Sequence, residues 1–284
     1  MKKSILTLLV TILFLSQLSA QNREESGAYL CAHKKQLAES PSRSFLGPNS
    51  PAHKFDVLRY IMNIDLYNQF DSPYPQDFVA DIVVRFRVDS TLNSIKLDAV
   101  NSSLAINSVG LAANSFTHQN DTLTILLDQT YQPGDTVEVS IDYEHLNVED
   151  GAFYVSNGFV FTDCEPEGAR KWFPCYDKPS DKAALELNAV VPLNVKLGSN
   201  GALIDSVFSG GNKIRYEWRS DNPVPTYLMV ISAKKNYNLD IVYWERPSDS
   251  VMVPFRYYYN NGEDPSAIEV MALDMCDHFS EGYG

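Results

Sequence analysis

Positive charge is in short supply: 23 Lys and Arg stand against 36 Asp and Glu in 284 residues, a formal net charge of -13. That deficit argues against nucleic acid as a partner, because gripping phosphates takes clustered Lys and Arg. Most of the acidic surplus reads as a solvated surface with a mild attraction for cationic ligands. Cysteine is sparse as well. Cys31, Cys164, Cys175 and Cys276 form no zinc knuckle, whose pairs stand about two to four residues apart. Two readings of the middle pair stand: a disulfide across a loop, or, for Cys175 within Phe173-Pro174-Cys175-Tyr176, a small buried apolar thiol, which is preferred. Beyond the first residues no apolar run is long enough to cross a bilayer, and there is no fixed-period repeat and no low-complexity segment.

What is present begins with an export signal. Lys2 and Lys3 precede an apolar run from Ile5 to Leu15, broken only by Thr7 and Thr11, and Ser16, Ser19 and Ala20 supply small residues for cleavage. Residues 1–20 are expected to be a cleaved signal peptide, which sends the mature protein to the periplasm or the extracellular space; the alternative is an uncleaved anchor. Residues 21–52 are polar and end in a Ser/Pro/Gly/Asn-rich stretch, a leader or linker.

From Phe55 the texture changes, and with 44% hydrophobic residues the chain can bury a substantial core. Alternation of apolar and polar residues predicts half-buried strands at Tyr60 to Tyr67, Phe78 to Val88, Ser94 to Leu97, Leu104 to Val109, Leu123 to Leu127 and Thr136 to Tyr143. Further strands are expected at Leu185 to Val191, Val195 to Ser199, Lys213 to Trp218 and Tyr227 to Ala233. Turn clusters such as Ala113-Asn114-Ser115 and Gln132-Pro133-Gly134-Asp135 separate them. The density of short strands predicts a mainly β domain over residues 53–245, an antiparallel sandwich or saddle-like sheet assembly.

Past residue 245 the pattern changes again. Met252 to Tyr259 reads as one strand, and Asp264-Pro265 opens a helix carrying Ile268, Met271, Met275 and Phe279. A lone strand and helix cannot bury their apolar faces, so residues 246–284 are expected to open a second domain.

The informative segment is Asp163-Cys164-Glu165-Pro166-Glu167-Gly168-Ala169-Arg170-Lys171-Trp172-Phe173-Pro174-Cys175-Tyr176-Asp177-Lys178-Pro179, followed by Lys182-Ala183. It resembles the motif that precedes the catalytic domain in the aminopeptidase N family of zinc metallopeptidases. Phe55-Asp56-Val57, Gly151-Ala152-Phe153-Tyr154 and Pro225-Thr226-Tyr227-Leu228-Met229 agree with that family in order, so the resemblance covers residues 55 to 284.

The resemblance implies an N-terminal β-domain followed by the start of a thermolysin-like α/β catalytic domain, in an enzyme that removes residues singly from peptides with free N-termini. Glu165 falls at the position whose carboxylate binds the substrate ammonium, and charge-assisted bonds of that kind are strong and directional. Without the motif, Glu165 would read as a surface residue of a turn made by Pro166 and Gly168. Arg170 and Asp177 are expected to pair and close the loop; a solvent-exposed pair would contribute about 0–1 kcal/mol. Trp172, Phe173 and Pro174 read as packing. Two departures stand out: Asp163 where Gln is common, and Lys178 where an acid precedes Pro179, a charge reversal with consequences for specificity.

The family's zinc site, His-Glu-x-x-His on a helix with a further Glu, is not in this sequence, nor is its Gly-x-Met-Glu-Asn strand. His33, His53, His118, His145 and His278 do not reproduce the spacing, and the acids Asp163, Glu165 and Glu167 do not form an EF-hand loop. Zinc is therefore expected in a complete enzyme, bound by a C-terminal catalytic domain beyond these residues, with no metal held and no catalytic residue supplied by this chain. The competing expectation is a free-standing, non-catalytic β-rich module for binding or assembly.

Overall fold

Alternation becomes sheet from Phe55 onward in a computed structural model that describes residues 54–283. β1 (Phe55–Asp65) buries Phe55 and Val57, then changes phase and buries Tyr60, Met62 and Ile64. The change comes from a bulge: pairing with β2 (Phe78–Val88) slips between Val57 and Arg59, so that Leu58 is the extra residue. With a side-chain period of two, one inserted residue moves every later apolar side chain to the other parity.

These two strands sit inside a seven-stranded sheet. Its order is β12 (Ala202–Gly210), β13 (Lys213–Val224), β10 (Ala183–Pro192), β1, β2, β7 (Thr136–His145) and β4 (Leu104–Leu111). Neighbours are antiparallel except β1 and β10, which run parallel. The long connection between them, which runs through several further strands, allows what a tight turn cannot.

A four-stranded sheet follows the order β11 (Val195–Ser199), β14 (Ile231–Lys235), β9 (Phe159–Thr162), β8 (Phe153–Ser156). A three-stranded sheet is made of β3 (Leu92–Asp98), β6 (Thr122–Tyr131) and β5 (Ala113–Gln119). The sheets share one core. Ile95, Leu97 and Ile125 from the three-stranded sheet and Val160, Leu197 and Ala233 from the four-stranded one join Tyr60, Met62, Phe86 and Tyr143 of the largest. Each fully buried large apolar side chain stabilises the fold by about 1.5–3 kcal/mol.

The mainly β, multi-sheet architecture agrees with the sequence, with four corrections. Ala113-Asn114-Ser115, expected as a turn, begins β5. The first half of the expected strand Tyr227 to Ala233 is a 3₁₀ turn, Thr226–Leu228, and β14 starts only at Ile231. β8, β9 and β12 carry no sequence expectation. Met252–Tyr259 (β16) is not a lone strand but pairs antiparallel with β15 (Asn238–Glu245), a hairpin that straddles residue 245.

The helix α1 (Ser266–Tyr283) follows the hairpin and is tied to it by Trp244 Nε1, which donates to Asp277 Oδ1 at 2.7 Å. The expected signal peptide and leader, with Cys31, His33 and His53, lie outside the described residues. Among the described residues no helix is long and apolar enough to cross a membrane.

Candidate functional site

The loop that leaves β9 carries the motif. Asp163 N–H donates to Ala152 O at 2.9 Å, which fixes the loop's start beside the β8 side of the sheet. Glu165, Pro166 and Glu167 then form an exposed turn, with the Glu165–Pro166 peptide cis. Gly168 closes it through a hydrogen bond from its N–H to Cys164 O at 2.7 Å. A Cβ at Gly168 would stand 3.0 Å from Cys164 Cα, so any other residue there would have to push the Cys164 backbone back by a small shift. A 3₁₀ turn, Ala169–Lys171, comes next, and Trp172 and Phe173 plunge into the core.

Arg170 is the hub of this loop. Its Nε donates to Asp177 Oδ2 at 2.9 Å, its Nη2 to Asp177 O and to Glu167 Oε2 at 2.9 Å each, and its Nη1 lies 3.4 Å from Asp98 Oδ1. The expected Arg170–Asp177 pair therefore forms, but not in solvent. Asp177 is wholly buried, and it takes a further hydrogen bond on Oδ1 from Thr226 Oγ1 at 2.6 Å. Removing one partner of such a pair leaves an uncompensated charge in the interior, a loss of about 3–5 kcal/mol rather than the small value of an exposed pair.

Burial works against the charge on Arg170, but Asp98, Asp177 and Glu167 together outweigh it and hold its pKa above the ordinary value. For Asp98 burial wins over the attraction of Arg170, and its carboxyl is pushed up.

The far end of the motif is pinned to the neighbouring sheets. Cys175 and Asp98 form an antiparallel bridge, with N–H to O distances of 2.7 and 3.1 Å, and Asp177 N–H donates to Asp98 Oδ2 at 3.0 Å. Tyr176 N–H donates to Tyr60 Oη of β1 at 3.0 Å. Cys164 and Cys175 are buried and not joined in a disulfide, and burial pushes the Cys175 thiol far up, so the preferred reading of Cys175 holds and it is no nucleophile. Trp172, Phe173 and Pro174 are buried packing residues, as their types suggest. Lys178 Nζ lies 3.4 Å from Glu167 Oε2, so the charge that departs from the family pattern meets Glu167.

Glu165 itself is exposed on the turn. Asp98, which the sequence did not mark, and Thr226, marked only as part of a matching fragment and given no role, both help tie the loop to its surroundings.

Among the described residues no three His, Cys, Asp or Glu side chains converge as a metal site would require. His118 Nε2 faces Ala99 O at 2.9 Å, His145 Nε2 faces Asp150 Oδ2 at 3.0 Å, and His278 is exposed on α1. The described residues thus do not fit a zinc ion. An open groove of about 380 Å³ on the seven-stranded sheet, lined by Asn63, Asp81, Asp142 and Asn188 among others, contains no motif residue.

Comparison with known proteins adds to this geometry. The family model described as the Peptidase M1 N-terminal domain matches residues 60–228. Leucine aminopeptidase 2 of Coccidioides immitis (strain RS) is 26% identical over 217 residues, which cover 68% of this chain and 34% of that protein. The M1 zinc metallopeptidase of Deinococcus radiodurans has the same fold, with a TM-score of 0.67 at 17% identity over 80% of this chain and 54% of that one. A mutant of that protein bound to a Tyr-Ser-Ala substrate superposes with a TM-score of 0.63 at 18% identity, over 74% of this chain and 49% of that one. The chain thus spans about half the length of these solved structures and, in the alignment to the Coccidioides protein, 34% of its length.

Proposed function

Because the chain belongs to the M1 peptidase family through its N-terminal domain, we propose that it is the amine-binding part of an exported zinc aminopeptidase, offering Glu165 to the ammonium group of a peptide's N-terminus. The observation that carries this reading is the placement of Glu165: exposed, within the matched segment, on a turn held from below by Arg170. A free N-terminus differs from every internal amide by its charge. A carboxylate held at fixed distance from the reacting centre therefore selects it and sets the cleaved bond one residue away, through a charged hydrogen bond worth about 1.5–3 kcal/mol. Glu167 already faces Arg170 and Lys178, so its charge is balanced within the turn.

The solved neighbours are zinc metallopeptidases. In this reading the metal is held by a further part of the protein, for which the β15–β16 hairpin and α1 form the opening. The apolar side chains of Ile268, Met271, Met275 and Phe279 support that assignment, since they recur at helical spacing and are 49–61% exposed, a stripe suited to cover by further chain. Export is supported by the basic, apolar and small residues of positions 2 to 20.

Paired inhibitors test the reading in the complete enzyme. Leucinamide should bind at least about tenfold more tightly than its des-amino analogue 4-methylpentanamide, and Glu165→Ala should erase most of that preference. Equal losses for the two compounds would contradict an ammonium contact at Glu165.

A further inference from the structure

The turn that carries Glu165 is linked to a segment far along the chain. Thr226 is 2% exposed and sits in the 3₁₀ turn between β13 and β14. Its hydroxyl donates to Asp177 Oδ1 at 2.6 Å, and the other carboxylate oxygen takes Arg170 Nε at 2.9 Å and Arg170 N–H at 3.3 Å. Arg170 in turn donates to Glu167 Oε2 at 2.9 Å, two residues past Glu165 in the same turn. The connection therefore runs Thr226, Asp177, Arg170, Glu167, with a charged partner in every hydrogen bond and its origin in the core.

We infer that Thr226 is a positioning residue for the amine-anchoring turn, acting through Asp177 and Arg170; the inference rests on the reading of Glu165 given above. A buried carboxylate must have its oxygens satisfied to stay ionised and fixed. Thr226 supplies a donor that keeps the Asp177 plane aligned with the guanidinium of Arg170. Without it the Asp177 carboxylate is held through Oδ2 alone, its alignment with Arg170 loosens, and the Glu165 turn samples a wider range of positions. Contacts that place a reacting partner affect rate through geometry, and a displacement of about 1 Å is enough to be felt.

Amide hydrogen exchange on the 284-residue chain tests the structural half. Thr226→Val removes the hydroxyl at nearly constant size, and the N–H groups of Gly168, Arg170 and Trp172 should then exchange about tenfold faster while those of β1 and β2 keep their protection. Thr226→Ser should restore the parent pattern. Unchanged exchange in the turn, or uniform acceleration across the chain, overturns the inference. If Thr226→Val does not fold, Thr226→Ala carries the same measurement.

Kinetics of the complete enzyme test the functional half. KM for free-amine substrates should rise about tenfold in Thr226→Val with kcat little changed, and the effect should shrink in a Glu165→Ala background, since residues acting through one another do not add. Glu165→Ala without effect overturns the ammonium anchor itself; effects of the two variants that simply add overturn the positioning role alone.

Discussion

Asp150 anchors the start of the segment that leads to the motif. Its Oδ1 accepts hydrogen bonds from the N–H groups of Ala152 at 2.9 Å and Phe153 at 3.1 Å, and its Oδ2 faces His145 Nε2 at 3.0 Å. Burial acts to raise its pKa, but these contacts outweigh it and hold the carboxyl below its ordinary 3.8. A folded value below the unfolded one means that the ionised group contributes stability above the unfolded value, and that this contribution fades as pH falls through the lowered one. The thermal midpoint should therefore drop as the solution is acidified below about pH 4, and Asp150→Asn should lower the neutral-pH midpoint while flattening that acid limb. An acid limb as steep in the variant as in the parent would contradict the assignment.

Residues differ in how far their sequence betrays them. Glu165, Arg170 and Asp177 stand in one motif and were legible together. Asp98 was not, and Thr226 stood in a matching fragment without a role, because they meet Asp177 across 79 and 49 residues of chain, and no local pattern reports such a meeting.

At the scale of elements, periodicity was enough where a strand buries alternate residues. β2 and β11 do so, and both run between the residues that the sequence marked. It failed where burial is slight or the strand is short. β5 has no fully buried residue and is a strand because it pairs with β6. β12 lies at the sheet edge with most of its side chains exposed. β8 and β9 have four residues each, too few for a period, although the turn between them, Asn157-Gly158 with φ of 49° and 75°, is a strong hairpin signal that composition alone underweighted.

Glycines at the two ends of β12 separate strain from crowding. Gly201 has φ +82°, and a Cβ there would lie 2.0 Å from Arg219 O; Gly210 has φ +78° and nothing within 4 Å. Gly210→Ala should cost only the backbone strain of about 1–2 kcal/mol. Gly201→Ala has to displace β13 as well and should cost clearly more in urea denaturation. Equal losses at the two positions would mean that the close approach of β12 to β13 carries no weight.

The whole molecule combines a shared core, an exposed carboxylate on a braced turn, and a helix whose apolar stripe is 49–61% exposed. The mainly β class was legible because many strands show the same period, whereas the parallel pairing of β1 with β10 was not, since strand order depends on contacts that no local pattern encodes. Membership of the M1 peptidase family rests on a match over residues 60–228, and the role of Glu165 is the claim on which the proposed function stands.

The most direct test is kcat/KM of the complete enzyme for an unblocked aminoacyl substrate, measured for the parent, Glu165→Ala and Glu165→Gln. Loss of a charged hydrogen bond of about 1.5–3 kcal/mol predicts a fall of roughly ten- to a hundredfold or more in Glu165→Ala, with a milder fall in Glu165→Gln, whose amide oxygen still accepts from the ammonium. Zinc content and thermal midpoint should stay close to the parent in both. Parent-like kcat/KM in Glu165→Ala, or loss of folding in its place, would contradict the account.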